Sequence, residues 1–370
     1  KTAYEITYGD WSSDVCSSDL LADARRADHG DQLARAHPAA QRLDVVGTAV
    51  QRDTGGQPRA GLRVKVDRGC DGGAVQAVSD VSFDIVAGET VAVVGESGCG
   101  KSTLAKGVMQ LLPTSSGTVT LNGTELTKLK GEALRCARPN IQMIFQDSIS
   151  SLDPHLKVRA LVEQPLKVWG RGSDAERRSK VDELLRSVNL DPEIVGDRKP
   201  TEFSGGQCQR ISIARALSLE PQVLVCDEPV SSLDVSIQSQ ILNIIQDMKT
   251  RYGLSLLFIS HDLSVVRAIS DRIIVMYLGK ICEVAPAEKL ALSPAHHYTH
   301  ALVSAVPIPD PKVGRRRAIL QGEPPSPTNP PSGCRFRTRC PAATEQCAAV
   351  EPELREVSPG QFVACHHPRG

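Results

Sequence analysis

Apolar positions along the chain fall into two periods. Val91-Ala92-Val93-Val94, Val223-Leu224-Val225-Cys226 and Leu256-Leu257-Phe258-Ile259 are continuous, strand-sized runs bounded by glycine or polar residues. Such runs predict strands buried on both faces. Between them the spacing becomes helical. Val181, Leu184, Leu185 and Val188 follow at i, i+3, i+4 and i+7. They lie behind a Ser173/Glu176 pair that predicts a capping box. Ile237, Ile241, Ile244, Ile245 and Met248 repeat the spacing and stop before Gly253. Strands alternating with helices predict an α/β fold on a parallel sheet. The stretch 148–216 shows no strand pattern and reads as an inserted helical subdomain.

The ends have a different texture. Residues 1–60 hold no sustained apolar period, and Asp10–Leu20, DWSSDVCSSDL, reads as a translated sequencing-library adapter. Such a segment is an assembly artefact or scar that carries no fold information, with a natural disordered tail as the alternative. Residues 307–331 contain eight prolines around Arg315-Arg316-Arg317, which predicts irregular, partly extended chain. The expected organisation is therefore an uninformative segment 1–60, a core domain 61–290 and an irregular, cysteine-rich extension 291–370.

Composition narrows the classes. A length of 370 residues allows two or three domains. Lys+Arg and Asp+Glu both number 43, which argues against a protein built to neutralise nucleic-acid phosphates. No apolar run approaches the roughly 20 residues of a membrane-spanning helix. No leader pattern is visible at the start. Most of the 11 cysteines are scattered singly, as in a reduced cytosolic protein.

The most specific motif is Gly95-Glu96-Ser97-Gly98-Cys99-Gly100-Lys101-Ser102, which fits G-x-x-x-x-G-K-[ST] between a predicted strand and a helical start at Thr103. Its glycines let backbone N–H groups wrap phosphates, and the helix N-terminus adds a positive dipole end. Lys101 is expected to reach the β- and γ-phosphates and Ser102 to ligate Mg²⁺. The strand 223–226 ends in Asp227 and Glu228. Asp227 can hold the metal, directly or through water, and Glu228 can orient and polarise attacking water. Ser204-Gly205-Gly206-Gln207 precedes a third helical pattern. A Ser N-cap followed by glycines exposes N–H groups and makes a second anion site. One nucleotide does not need both sites in one chain, whereas two chains facing head-to-tail would use both.

The ordered strings GESGCGKS, IFQD, FSGGQ, VLVCDEP, SSLD and SHD resemble an ATP-binding-cassette ATPase over about 61–290. The resemblance implies a P-loop NTPase cassette core binding ATP and Mg²⁺. It implies that Gln146 ends a strand and senses both Mg²⁺ and a membrane partner. It places Ser204 to Gln207 on the nucleotide of the opposite subunit and Asp234 at the dimer seam. His261 would hold the γ-phosphate and Glu228. Two departures stand out. No Phe, Tyr or Trp occurs between Trp11 and Phe83, so the aromatic that usually stacks on adenine is missing and Val64 or Val66 takes its place. Cys208 stands where a basic residue is usual.

The tail adds a second resemblance. HHYTHALVSAVPIPDP and LQGEPPSPTNPPSGCRFRTRC, with FQDSISSLDP at 145–154, are similar to the oligopeptide/dipeptide permease ATPases. The usual His-Pro-Tyr here has His297 before Tyr298 in place of proline. This implies an ATPase that drives uptake of di/oligopeptides or a related small solute. It would sit peripherally on the cytoplasmic face of the membrane, against two permease subunits and a second ATPase, identical or homologous. An extracellular solute-binding protein would act indirectly, and nucleic acid would not be a partner. The alternative is a soluble cassette ATPase acting on ribosomes or nucleic acid. Cys334, Cys340, Cys347 and Cys365 have the spacing C-x5-C-x6-C-x17-C, and four thiolates can bind [4Fe–4S] or Zn²⁺. Iron–sulfur proteins among the resembled family favour the cluster over zinc, and unligated thiols remain open. His366 and His367 are substitute ligands or simply solvated.

Overall fold

A computed structural model describes residues 62–68, 76–306, 320 and 322–369. The adapter-like string and Arg315 to Arg317 lie outside the described residues. The first half runs β1 (Leu62–Arg68), β2 (Val78–Ile85), β3 (Thr90–Val94), α1 (Lys101–Val108), β4 (Ser116–Leu121), β5 (Thr124–Glu125), α2 (Gly131–Ala137) and β6 (Ile141–Ile144). Helices then take over, with α3 (Val158–Val168), α4 (Asp174–Ser187), α5 (Pro192–Val195) and α6 (Gly205–Leu217). Alternation resumes with β7 (Val223–Asp227), α7 (Val235–Tyr252), β8 (Ser255–Ile259), α8 (Leu263–Ile269), β9 (Arg272–Tyr277) and β10 (Lys280–Pro286). The chain ends with α9 (Ala287–Leu292), α10 (His297–Ala305), α11 (Glu345–Ala349), β11 (Arg355–Ser358) and β12 (Gln361–Val363).

The main sheet has the order β11-β12-β10-β9-β3-β8-β7-β6. Its centre, β9-β3-β8-β7-β6, is parallel. Every residue of β3, β7 and β8 is buried, which is why these strands read as unbroken apolar runs. A second sheet, β2-β1-β4-β5, is antiparallel. It was not visible in the periodicity, because β2 alternates only loosely and β4 begins with exposed residues. Val64 pairs with Phe83 and Val119 and is 1% exposed. It is a core residue of that sheet and offers no face to an adenine base.

The capping box at the start of α4 is formed by Ser173 and Glu176 in both directions. Gly253 closes α7 in the left-handed conformation, where a Cβ would be strained. The extension is less irregular than its composition predicts. β12 pairs with β10 through Glu283↔Val363 and Val284↔Phe362, and β11 pairs with β12. Part of the cysteine-rich tail thus completes the edge of the main sheet.

Candidate active site

The phosphate loop links β3 to α1 along a path that only glycine can follow at two points. At Gly95 a Cβ would overlap the Met276 carbonyl. At Gly100, φ is +103° and a Cβ would overlap the Ala77 carbonyl, so both conformation and space exclude a side chain. Ser97 and Gly98 are exposed at the loop's crest, and Thr103 is half-buried in the first turn of α1. Lys101 is buried, with Nζ donating to the carbonyls of Gly95 at 2.8 Å and Glu96 at 3.1 Å.

Beside the loop, Ser102 Oγ donates to Asp227 Oδ1 at 2.9 Å. Burial at the end of β7 pushes the Asp227 carboxyl up; the Ser102 hydroxyl opposes that shift and the neighbouring Glu228 carboxylate adds to it. Glu228 itself has φ +47° and donates its N–H to Ile259 O at 3.0 Å. A non-glycine residue in this region is strained, and such strain clusters where a side chain must be aimed. One oxygen of Glu228 gathers two partners from separate loops. Gln146 Nε2 donates to Oε2 at 3.1 Å, and His261 Nδ1 lies 3.3 Å from the same atom. The loops after β6, β7 and β8 thus meet at one carboxylate, off the C-terminal ends of neighbouring parallel strands, where open α/β sheets bind ligands.

Ser204 caps α6, with Gln207 N donating to its Oγ at 3.4 Å and Ser204 N donating to Gln207 Oε1 at 3.1 Å. Gly205 lies near Leu233, and a Cβ on Gly206 would lie 2.6 Å from Ile237 Cγ2. Gly206 therefore lets α6 close on α7, whereas Gly205 has room for a side chain. Asp234 occupies the exposed N-cap of α7. Among the described residues, no hydrogen bond or ion pair joins Ser204–Gln207 or Asp234 to the Lys101–Asp227–Glu228 group. Cys208 is buried and approaches Pro200 O, so it takes no part in the exposed turn.

Sequence reasoning passed over the residues that hold the loop from behind. The Glu96 N–H donates to the hydroxyl of buried Tyr298 at 2.8 Å, and Arg339 pairs with the Glu96 carboxylate. The only signal was the arginine-bearing string CRFRTRC and the Tyr after His297. His296 was passed over too. Its Nδ1 accepts from Tyr298 N and so caps α10.

The ABC transporter family matches residues 78–231, and the oligopeptide/dipeptide transporter C-terminal region matches 282–347. The oligopeptide transport ATP-binding protein OppF of Haemophilus influenzae is 50% identical over 294 residues, which is 79% of this chain and 88% of that one. The chain belongs to the ATP-binding-cassette transporter family. A peptide import ATP-binding protein of Brucella ovis is 49% identical over 291 residues, covering 79% of this chain and 92% of that one. The dimeric post-hydrolysis structure of the cassette MJ0796 with ADP and Pi aligns with a TM-score of 0.56 at 30% identity. It covers 61% of this chain and 98% of that one. The fold is that of a P-loop cassette, and the activity is that of an ATPase. Among the described residues, no helix is long and apolar enough to cross a membrane.

The four tail cysteines are brought together. Burial raises the Cys334 thiol to about 11, and the neighbouring Cys365, Cys347 and Cys340 thiols push the same way. Cys334 N donates to Cys347 O at 2.8 Å. His366 Nε2 lies against Val350 O and His367 Nε2 against Thr344 Oγ1, both at 2.9 Å. Among the described residues, no group of three or more His, Cys, Asp or Glu side chains is arranged to hold a metal ion. The donor type suits a thiolate-bound metal, but the arrangement is not a formed cage.

Proposed function

We propose that this cassette is the ATP-hydrolysing subunit of a peptide-type importer and that Glu228 is its water-positioning base. The observation that carries the reading is the convergence of Gln146 and His261 on one Glu228 oxygen, next to the Ser102–Asp227 pair. Lys101 and the loop N–H groups receive the phosphates. The Ser102 hydroxyl and the carboxylate of Asp227, with Gln146 at the rim, form a hard oxygen set suited to Mg²⁺, which would supply charge neutralisation on the β- and γ-phosphates. Glu228 takes a proton from attacking water, and His261 holds Glu228 and the γ-phosphate in register. Ser204 to Gln207 and Asp234 stand apart from this group, which supports their serving the nucleotide of an opposing cassette, identical or homologous. The names of the peptide-import relatives favour transport over action on ribosomes or nucleic acid.

The membrane partner has a candidate seat beside Gln146. A groove of about 350 Å³ runs between the sheet and α3, lined by Met109, Leu111, Met143, Phe145, Pro165 and Val168. Leu111, Phe145 and Val168 are exposed in it, as an apolar docking surface requires. A permease helix seated there would press on the loop that carries Gln146. The extracellular solute-binding protein would act through the permeases, and the cassette would work from the cytoplasmic face. In the tail, Cys334, Cys340, Cys347 and Cys365 supply the four thiols that a [4Fe–4S] site takes as ligands, and ligand type alone supports that reading. Iron and acid-labile sulfide after anaerobic purification test this, and full occupancy by zinc, or neither metal, would discard it.

Glu228→Gln tests the central claim. ATP binding and an ATP-dependent dimer should persist, while turnover falls by roughly 10²-fold or more, the usual yield of a positioned base. Hydrolysis at the parent rate would remove Glu228 from the role.

A further inference from the structure

We propose that Arg339 is a positioning residue of the phosphate loop. By fixing and neutralising Glu96, it makes nucleotide affinity depend on the docked C-terminal extension. This rests on the ATP-binding reading above and adds a component that the cassette core does not contain.

Glu96 is the second residue of the loop that must receive a polyanion. A bare carboxylate there opposes ATP through space, and low-dielectric surroundings strengthen the repulsion. Arg339 comes from 243 residues away and meets it fork to fork, Nη1 to Oε2 at 2.8 Å and Nη2 to Oε1 at 3.2 Å. The Arg339 side chain is 7% exposed and that of Glu96 26%. A bidentate pair this shielded is stronger and less screened by salt than a surface contact. The other polar groups of Glu96 are also committed. Its N–H donates to Tyr298, and its carbonyl accepts from Lys101. The loop's conformation and its local charge are therefore both set from outside it.

The element that presents Arg339 is held firmly. Phe336 packs against Tyr277 and Tyr298, with ring centroids at 5.2 and 5.4 Å. The neighbouring Arg335 is buried and donates to the Leu278 carbonyl, to Gln76 Oε1 at 2.6 Å and to Ser79 Oγ at 3.0 Å. Arg339 Nη1 also reaches the Tyr277 hydroxyl at 3.4 Å. A turn anchored at this many points can aim a guanidinium at one carboxylate.

The test separates charge neutralisation from simple stapling. The full-length parent, R339A, R339K and the double variant E96Q/R339A are compared for ATP affinity, for KM and kcat, and for thermal melting. R339A should raise the ATP Kd and KM roughly tenfold, with kcat within about twofold, because a carboxylate stripped of its partner penalises binding rather than chemistry. R339K should fall between, since an ammonium keeps the charge but not the fork. The double variant should return to within about threefold of the parent Kd, because no unpaired charge remains. An R339A Kd equal to the parent's would overturn the proposal, as would a double variant no better than R339A. If R339A does not accumulate, the double variant decides alone: a Kd within about threefold of the parent supports the proposal, and a larger rise overturns it. A parent chain that binds no ATP would overturn the ATP-binding reading itself and this proposal with it.

Discussion

Glu283 offers the sharpest test of how the extension is joined to the cassette. It lies on β10 with no exposed surface, and no ion pair to it is found among the described residues. Three donors converge on its carboxylate: Ala295 N at 3.0 Å, His296 N at 2.8 Å and Gln361 Nε2 at 2.8 Å. The first two fix the turn into α10, and the third ties in β12. Burying a carboxylate without such bonds would be prohibitive, and charge-assisted bonds are about twice as strong as neutral ones. Glu283→Ala strands the backbone N–H groups of Ala295 and His296, while Gln361 Nε2 keeps the Ser293 carbonyl at 2.8 Å. At about 1–3 kcal/mol for each buried unsatisfied group, the cost is at least about 2 kcal/mol. Glu283→Gln keeps the shape and one acceptor oxygen but turns an NH₂ toward a donor, so its cost should be smaller, about 1–2 kcal/mol. Urea denaturation of the full chain, followed by tryptophan fluorescence and circular dichroism, measures both. ATP affinity should fall with stability, because α10 also carries Tyr298, which holds Glu96. A Glu283→Ala chain within about 1 kcal/mol of the parent would refute the reasoning, since it would mean that solvent or a shifted backbone satisfies the donors.

Three further outcomes can be checked. Burial, aided by neighbouring His297, lowers His296 from 6.5 to about 3, so the folded chain holds it neutral while the unfolded chain protonates it. The stability this provides above pH 6.5 is lost as pH falls toward 3, by about 2 kcal/mol from pH 7 to pH 5 through linkage; His296→Asn, which can still cap α10, should flatten that slope in pH-dependent melting. Gly100→Ala should abolish ATP binding in a fluorescent-nucleotide titration, because the new Cβ meets the Ala77 carbonyl at positive φ; parent-like affinity would show that the loop tolerates the displacement. Val168→Asp places a charge on the exposed rim of the apolar groove and should sever co-purification with permease subunits from detergent-solubilised membranes while the isolated chain still hydrolyses ATP. Recovery of the parent with ribosomes or DNA, and not with permeases, would discard transport.

Much of the candidate site was legible because its determinants are local. The phosphate loop, the Ser204 cap and the Asp227-Glu228 pair are each encoded within a few residues of one strand end or helix start. The Ser204–Gln207 bonds span three positions and Lys101 Nζ reaches back only five and six, and the acidic pair directly follows an apolar strand, so spacing alone betrays them. The buried runs of β3, β7 and β8 were equally clear, because both faces of a central parallel strand select apolar side chains. Illegible parts depend on distant partners. The sheet β2-β1-β4-β5 leaves mixed patterns, since its faces differ in exposure. Nothing near Val64 announces that it is core rather than a base platform. A tail rich in proline and cysteine reads as irregular until β10 supplies the ladder for β12.

The sequence by itself therefore determined the chemistry: which residues can wrap phosphate, hold a metal, position water and cap helices, and in what order. Tertiary structure alone decided which of them meet. It set Gln146 and His261 on one oxygen of Glu228, kept Ser204 apart from that group, gathered four cysteines without closing a cage, and brought Arg339 to Glu96. The physical reason is range. Local bonds are written in spacing, whereas a contact across 243 residues exists only once the extension has packed against the cassette.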